Sequence, residues 1–262
     1  MKKLFVFIIL ILLTDKLLAQ NNDYVDVCGV KWARGNLIYQ DGQWSLASSQ
    51  WFYFDYVDGK ESVQKIHLPN EGYDHFNWGV CGKNALSKER YAQTDTVDIC
   101  GKMFLDSYCE QQTDDFEKAQ FGDLAYWATI GKYRLPTYQE MLTLLDKASF
   151  QYGYYLSPDN KRVFGYLFFT PKGRRVKNYQ ARRIKDDDLE KGLFLPAVGY
   201  MQNKNVVTGF IFMRGQDGHY WTSRPYHPVK HQAYRLFFYE VGLFLYEYDN
   251  DFAKAIRPVL NE

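Results

Sequence analysis

The hydrophobic pattern of the chain changes period several times. Near the start of the folded part, Val25-Asp-Val27 and Val30-Lys-Trp32 alternate apolar with polar, and Leu37-Ile-Tyr39 runs into Asp41-Gly42. Alternation of period two predicts half-buried strands, and Asp-Gly between two such runs predicts a tight hairpin. Trp44 opens a further aromatic-rich extended stretch that continues to residue 54. Residues 57–113 lose all periodicity, with Gly59, Gly72, Gly79, Gly82 and Gly101 breaking the pattern, which predicts a long loop layer.

Helical spacing follows. Phe116, Ala119, Leu124, Trp127 and Ala128 form a loose helical stripe over residues 114–130, interrupted by Gly122. A sharper signal lies at residues 137–148. Thr137 and Glu140 make a capping box, Pro136 precedes it, and Met141, Leu142, Leu145 and Ala148 form one apolar face. Residues 164–170 predict a strand, and the basic stretch 172–183, followed by Asp186-Asp-Asp188 and Glu190, predicts a solvated loop or short helix. The last seventy residues are short aromatic or branched runs bounded by Gly, Pro or charged loops, as strands of one compact sheet would be, and Glu240-Val-Gly242 predicts a hairpin with Gly in its turn.

The first residues stand apart. Lys2 and Lys3 precede an uninterrupted apolar run over residues 4–13, and Leu17-Leu-Ala19 places a small residue ahead of Gln20. This is the pattern of a cleaved secretory signal over residues 1–19, since the apolar run is too short to span a hydrocarbon core of about 30 Å. Residues 20–262 are then expected to form a single α+β domain, exported to the periplasm, the cell surface or the medium. No later apolar run is long enough to predict a transmembrane segment.

Composition refines this picture at two points. A formal net charge of +1 over 262 residues gives no basic footprint for nucleic acid. Tyr, Phe and Trp together make 18% of the chain, more than core packing requires, which points to rings on the surface. Cys28, Cys81, Cys100 and Cys109 are even in number, so an oxidising compartment permits two disulfides in three pairings; buried thiols are the alternative, and no Cys-x2-Cys spacing suggests a metal.

Four blocks carry a family resemblance. They are Val30-Lys-Trp-Ala-Arg-Gly-Asn-Leu-Ile-Tyr39 with Trp44; Phe76-Asn-Trp-Gly79; Arg134-Leu-Pro-Thr137 with Glu140 and Leu144; and the closing set Phe194-Leu-Pro-Ala-Val-Gly-Tyr200, Tyr220-Trp-Thr-Ser223 and Arg257-Pro-Val259. In order and approximate spacing these resemble a family of exported Bacteroidetes proteins, the Fibrobacter succinogenes major paralogous domain. The resemblance spans residues 25–260 and implies a C-type-lectin-like fold, two helices packed on small mixed β-sheets with long loops.

Fold does not transfer function, so each chemistry of that broad fold must find its residues. The copper-holding cysteine pair of formylglycine-generating enzymes has no counterpart, because no Cys follows Cys109. Calcium-dependent lectins place carboxylates where this chain has Tyr220-Trp-Thr-Ser223, and Asp249-Asn-Asp251 reads as a turn. His219, His227 and His231 invite a metal, yet Pro228 breaks the helix that would align the last two. Ser223 near His219 has no elbow motif or acidic partner for nucleophilic catalysis.

The remaining expectation is a non-enzymatic recognition module for a glycan or protein ligand, without cofactor or metal. The lectin-fold ligand face corresponds to the segments around the last strands, and the expected contact residues are Tyr226, His227, His231, Tyr246, Tyr248 and Asn250, whose rings and polar groups suit stacking and adaptable hydrogen bonding. The alternatives are a divergent enzyme of the formylglycine-generating superfamily and a structural or adhesive envelope protein.

Overall fold

A computed structural model describes residues 23–54, 64–66, 72–86, 91–93, 98–102, 109–111, 121–202, 209–227, 232–249 and 252–262. The predicted signal segment and the predicted helical residues 114–120 lie outside them.

The described residues open with β1 (Tyr24–Val27), β2 (Val30–Ala33), β3 (Leu37–Gln40) and β4 (Gln43–Leu46). Asp41 and Gly42 join β3 to β4 with φ of 51° and 80°, the two positive values a tight primed turn demands. Short strands β5 (Gln64–Ile66), β6 (Tyr91–Gln93) and β7 (Cys109–Gln111) and a 3-10 turn (Gly82–Leu86) punctuate the irregular region. Then come α1 (Leu124–Ala128), β8 (Tyr133–Arg134), α2 (Tyr138–Asp146), β9 (Ser149–Leu156), β10 (Arg162–Phe169), β11 (Lys177–Ile184) and α3 (Asp186–Lys191). The chain closes with β12 (Leu193–Pro196), β13 (Tyr200–Gln202), β14 (Gly209–Phe212), β15 (Gly218–His227), β16 (Gln232–Tyr239), β17 (Gly242–Asp249), β18 (Phe252–Ala253) and β19 (Val259–Leu260). The architecture is α+β, with short helices and several small sheets.

Strand order ties the two ends of the chain together. One sheet runs β1-β2-β19-β8, so the last strand sits between an N-terminal hairpin and the strand leading into α2. The others run β11-β9-β10-β12, β18-β13-β14-β5 and β15-β16-β17, with two-stranded pairs β3-β4 and β6-β7. Ala33 N–H donates to Pro258 O at 2.9 Å and Leu37 N–H to Ile256 O at 2.9 Å. The fully buried Arg257 guanidinium donates to Asn36 Oδ1 (2.7 Å), Gln50 O (2.9 Å) and Ala33 O (3.2 Å), all from the N-terminal quarter.

The capping box at Thr137 is present in full. Glu140 N–H donates to Thr137 Oγ1 at 3.1 Å, and Thr137 N–H to Glu140 Oε2 at 2.7 Å. Arg134 adds a bidentate ion pair to the same carboxylate at 2.8 and 2.7 Å, so Arg134-Leu-Pro-Thr137 and Glu140 act as one unit fixing the entry to α2. At the other end of α2, Arg175 donates to Ala148 O at 2.5 Å and to Leu145 O, covering carbonyls the helix leaves open.

Three corrections to the sequence pattern arise here. The strands of the last seventy residues do not form one compact sheet: β12, the β13-β14-β18 set, β15–β17 and β19 belong to four different sheets. Among the described residues of the helical stripe, 121–130, five are helical, capped by buried Asp123, whose side chain also accepts the N–H groups of Gly101 and Leu135. Burial pushes its carboxyl up to about 6 against those hydrogen bonds. The basic stretch forms neither loop nor helix over residues 177–184: it is β11, an exposed edge strand that pairs in parallel with β9. Rows of Lys and Arg are a common guard for such an edge.

Two hydrophobic clusters lie on opposite faces of the β15-β16-β17 sheet. Tyr220, Leu236 and Phe238 join Trp32, Leu144, Phe150 and Tyr166 on one face. On the other, Trp221 and Ala233 join Leu37, Phe76, Trp78 and Ile256. Cys28, Cys81 and Cys100 are not joined in disulfides in this structure, and burial raises Cys100 to about 11. Among the described residues, no helix is long and apolar enough to cross a membrane.

Trp221→Ala should cost roughly 3–5 kcal/mol in denaturant melts, because it empties a fully buried ring site and leaves Phe76 O without the indole N–H now 3.0 Å away. Thr137→Ala should cost about 1 kcal/mol through the lost cap. A Trp221→Ala midpoint equal to the parent's would refute the core assignment.

The Arg134–Glu140 pair carries a pH signature. Burial alone would raise Glu140, but the hydrogen bonds and charge of Arg134 and the N–H of Thr137 outweigh it and lower its pKa. Its stabilising effect is therefore complete above the ordinary value of 4.5 and is lost as pH falls through the lowered value in the folded protein. The stability gap between parent and Glu140→Gln should be open at pH 7 and shrink below pH 4.5; a gap constant down to acid unfolding would contradict the assignment.

Candidate functional site

Alternation along β16 and β17 sorts their side chains between two environments. Leu236, Phe238, Leu243 and Leu245 face the first core cluster, while Arg235, Phe237, Phe244, Tyr246 and Tyr248 face the other way. Cross-strand register sets Phe237 opposite Phe244 and Arg235 opposite Tyr246. The result is a row of rings in contact. Phe237 stacks on Phe244 at 5.9 Å, Tyr239 stacks on Phe244 at 5.9 Å, and Tyr246 meets Phe237 edge-on at 5.8 Å. Across Arg235, Tyr248 extends the row with a second set of rings, meeting Phe252 at 5.1 Å, and Phe252 leads to Tyr200 at 5.7 Å. Phe244 is 41% exposed and Tyr239 37%, so one end of the row faces solvent while the other is half-buried.

Cations lie beneath the rings. Arg235 is 2% exposed, and its guanidinium lies 3.8 Å from the Tyr248 ring centroid and 5.1 Å from those of Tyr246 and Phe237. It also donates to Tyr246 Oη at 3.2 Å and bonds to His219 Nδ1. Lys254, fully buried, lies 3.6 Å from the Trp221 ring and 4.7 Å from Tyr248, and donates to Phe252 O at 3.0 Å. The π faces supply the negative potential that water would otherwise supply.

These charges fix the state of their neighbours. Burial lowers His219 well below its ordinary value, and the charges of Arg235 and Lys254 lower it further. The imidazole is therefore a neutral acceptor for Arg235. Burial also lowers Arg235 itself, with Tyr246 and Tyr248 opposing, and it raises the half-buried Asp217 carboxyl, which Arg235 pulls back.

A second concave feature lies under residues 51–54. Trp51, Phe52, Tyr53 and Phe54 line a cavity of about 300 Å³ with Ser157, Asp159, Lys161 and Val163 from the β9–β10 hairpin. A buried polar group stands behind it: Asp74 accepts the Phe54 N–H at 2.8 Å, contacts His75 Nδ1 at 2.6 Å and lies 3.5 Å from Arg214. Burial works to raise Asp74, but the charges of His75 and Arg214 and these hydrogen bonds hold it below the usual carboxylate range. His75 Nε2 faces Gly199 O at 3.3 Å, so the dyad braces the backbone rather than a nucleophile.

The structure divides the residues expected to bind. Tyr246 and Tyr248 stand together in the ring row. Tyr226, 41% exposed, lies on the opposite face, edge-on to Tyr234 at 5.4 Å, with Arg224 over Tyr234 and Tyr138. Register shifts between Trp221 and Pro225 and again before His227 end the simple alternation of β15. His227 ends that strand opposite Gln232; His231 and Asn250 lie outside the described residues. Sequence reasoning missed Phe237, Tyr239, Phe244, Arg235 and Lys254. The first three were legible as alternate aromatics flanking a hairpin turn; the two cations carried no local signal of burial. The run of four aromatics at residues 51–54 was visible but could not be matched to the hairpin that completes its cavity.

Among the described residues, no group of three or more His, Cys, Asp or Glu side chains is placed to hold a metal ion. Comparison with models of known protein families, with characterised proteins and with solved structures finds no match for this chain.

Arg235 fills a slot between three rings, so its stem and its charge can be separated by substitution. Arg235→Ala should destabilise by more than about 2 kcal/mol through lost packing, whereas Arg235→Met, of similar length and without a charge to desolvate, should cost less than about 1 kcal/mol. Equal losses in thermal melts would assign the role to charge instead of volume.

Proposed function

We propose that this protein is an exported, non-enzymatic recognition module with a C-type-lectin-like fold, binding a glycan or protein ligand through the ring row of β16 and β17. The observation that carries the reading is the partly exposed, packed set Tyr239, Phe244 and Tyr246, joined to Tyr248 by the buried Arg235 beneath Tyr246 and Tyr248. Rings already held by one another or by Arg235 lose little freedom when a ligand arrives, which favours binding. Flat rings with hydroxyl edges suit the apolar faces of sugars and the side chains of a protein epitope alike. The lectin-like fold draws support from the β1-β2-β19-β8 sheet, which joins the chain's first strands to its last, and from α2 behind the Arg134-Leu-Pro-Thr137 unit. Export draws support from the signal pattern of residues 1–19.

The purified chain should bind specific members of a glycan array or an extracellular-protein array, and the binding should survive a chelator. Phe244→Ala and Tyr246→Ala should each weaken a confirmed ligand by about 2 kcal/mol or more, as truncated hot spots do. Tyr226→Ala, on the other face, should leave that affinity within about 0.5 kcal/mol of the parent. Loss with Tyr226→Ala alone would move the site to the Arg224–Tyr234 side, and turnover of a substrate would overturn the non-enzymatic reading.

A further inference from the structure

Far along the chain from the ring row, α3 lies over one face of the β11-β9-β10-β12 sheet and leaves a cavity of about 660 Å³. Its apolar surface is the partly exposed ring of Phe169 of β10; Leu167, 2% exposed, lies behind it, packed against Leu189 and Phe194. The exposed cationic side chains Lys172, Arg182, Lys185 and Lys191 stand around it, against two carboxylates, Asp187 and Asp188. Asp188 is already engaged: Arg182 donates to it at 3.2 and 3.4 Å, and Lys185 N–H donates to it at 3.0 Å. Three lysines therefore face Asp187 alone, a local surplus of positive charge in a chain whose overall balance is +1. The residue at the mouth is held in place, since Thr170 Oγ1 accepts the Cys28 N–H at 2.7 Å.

An apolar floor below a cationic rim selects a ligand carrying both features. A small polar anion would leave the ring of Phe169 uncovered, and a neutral amphiphile would gain nothing from the charge of the lysines. We propose that this cavity binds a fatty-acyl carboxylate, its chain over Phe169 and its carboxylate among Lys172, Lys185 and Lys191. The volume lies within the range of sites that enclose molecules of this size. The site is separate from the ring row, so it stands or falls independently of the recognition reading.

Isothermal titration of the whole protein with octanoate, octyl glucoside and acetate separates the two contributions. Octanoate should bind one to one and weaken as salt rises, because the lysines are exposed to screening. Octyl glucoside, with the chain but no charge, and acetate, with the charge but no chain, should each bind at least about ten-fold more weakly. The double variant Lys172→Glu, Lys191→Glu should weaken octanoate by at least about ten-fold with an unchanged melting temperature, since both side chains are exposed. Absence of octanoate binding, equal binding of octyl glucoside or acetate, or full affinity in the folded double variant would each overturn the assignment.

Discussion

Closure of the chain on itself is the constraint on which the fold rests, and Arg257 is its fixed point. A guanidinium cut off from water must spend its donors on protein acceptors, and here they come from Ala33, Asn36 and Gln50. Burial lowers its pKa from the ordinary arginine range, a mark of how completely it has been desolvated. No N-terminal segment can shift by a residue without stranding that charge, so the register of β19 against β2 is set by a polar contact inside an otherwise apolar layer. Loss of the guanidinium would leave three acceptors buried and unpaired, which is costlier than the net gain from forming the bonds.

From that closure follows the placement of the β15-β16-β17 sheet. Trp221 N–H donates to Ala255 O and Ala255 N–H to His219 O, so the segment just before Arg257 is laced to the first strand of this sheet. The sheet becomes a wall between two hydrophobic clusters, and its far strand, β17, is left with one face on the core and one partly open. Gly199, with φ of 73° and only 2.2 Å between an added Cβ and Phe212 O, lets the β12–β13 connection pass close beside it.

Burying Arg235 and Lys254 among aromatic faces ties rigidity to surface chemistry. An aromatic cage stabilises a cation only while its rings keep their positions, so the charges below and the ring row above constrain one another. The lowered His219 belongs to the same balance, since a charged imidazole beside Arg235 would add repulsion, and the nearby Asp217 carboxylate stands 3.9 Å from its Nε2, beyond hydrogen-bond reach. Recognition by this face would draw on order that folding has already established.

Local chemistry was fully expressed in the sequence where the determining contacts span only a few residues. Asp41-Gly42 imposed its turn because two consecutive positive φ angles suit few other residue pairs, and Thr137 with Glu140 imposed a helix start because both halves of the cap lie within one turn. Alternation in β16 and β17 likewise announced two faces. Which face would be buried was a different matter: Arg235 reads as a solvated charge until Tyr246, Tyr248 and His219 are brought around it from eleven to sixteen positions away in sequence. The basic edge strand was hidden for the same reason, as β11 exists only because β9, far back in the chain, offers it hydrogen bonds. Tyr226 and Tyr246 share composition and neighbourhood in sequence, yet the register shifts of β15 and the alternation of β17 send them to opposite faces. Hydrogen bonding and steric limits within a turn are properties of the local chain, so the sequence settled them; desolvation and the side of a sheet depend on what else is packed there, and only the tertiary structure decided those.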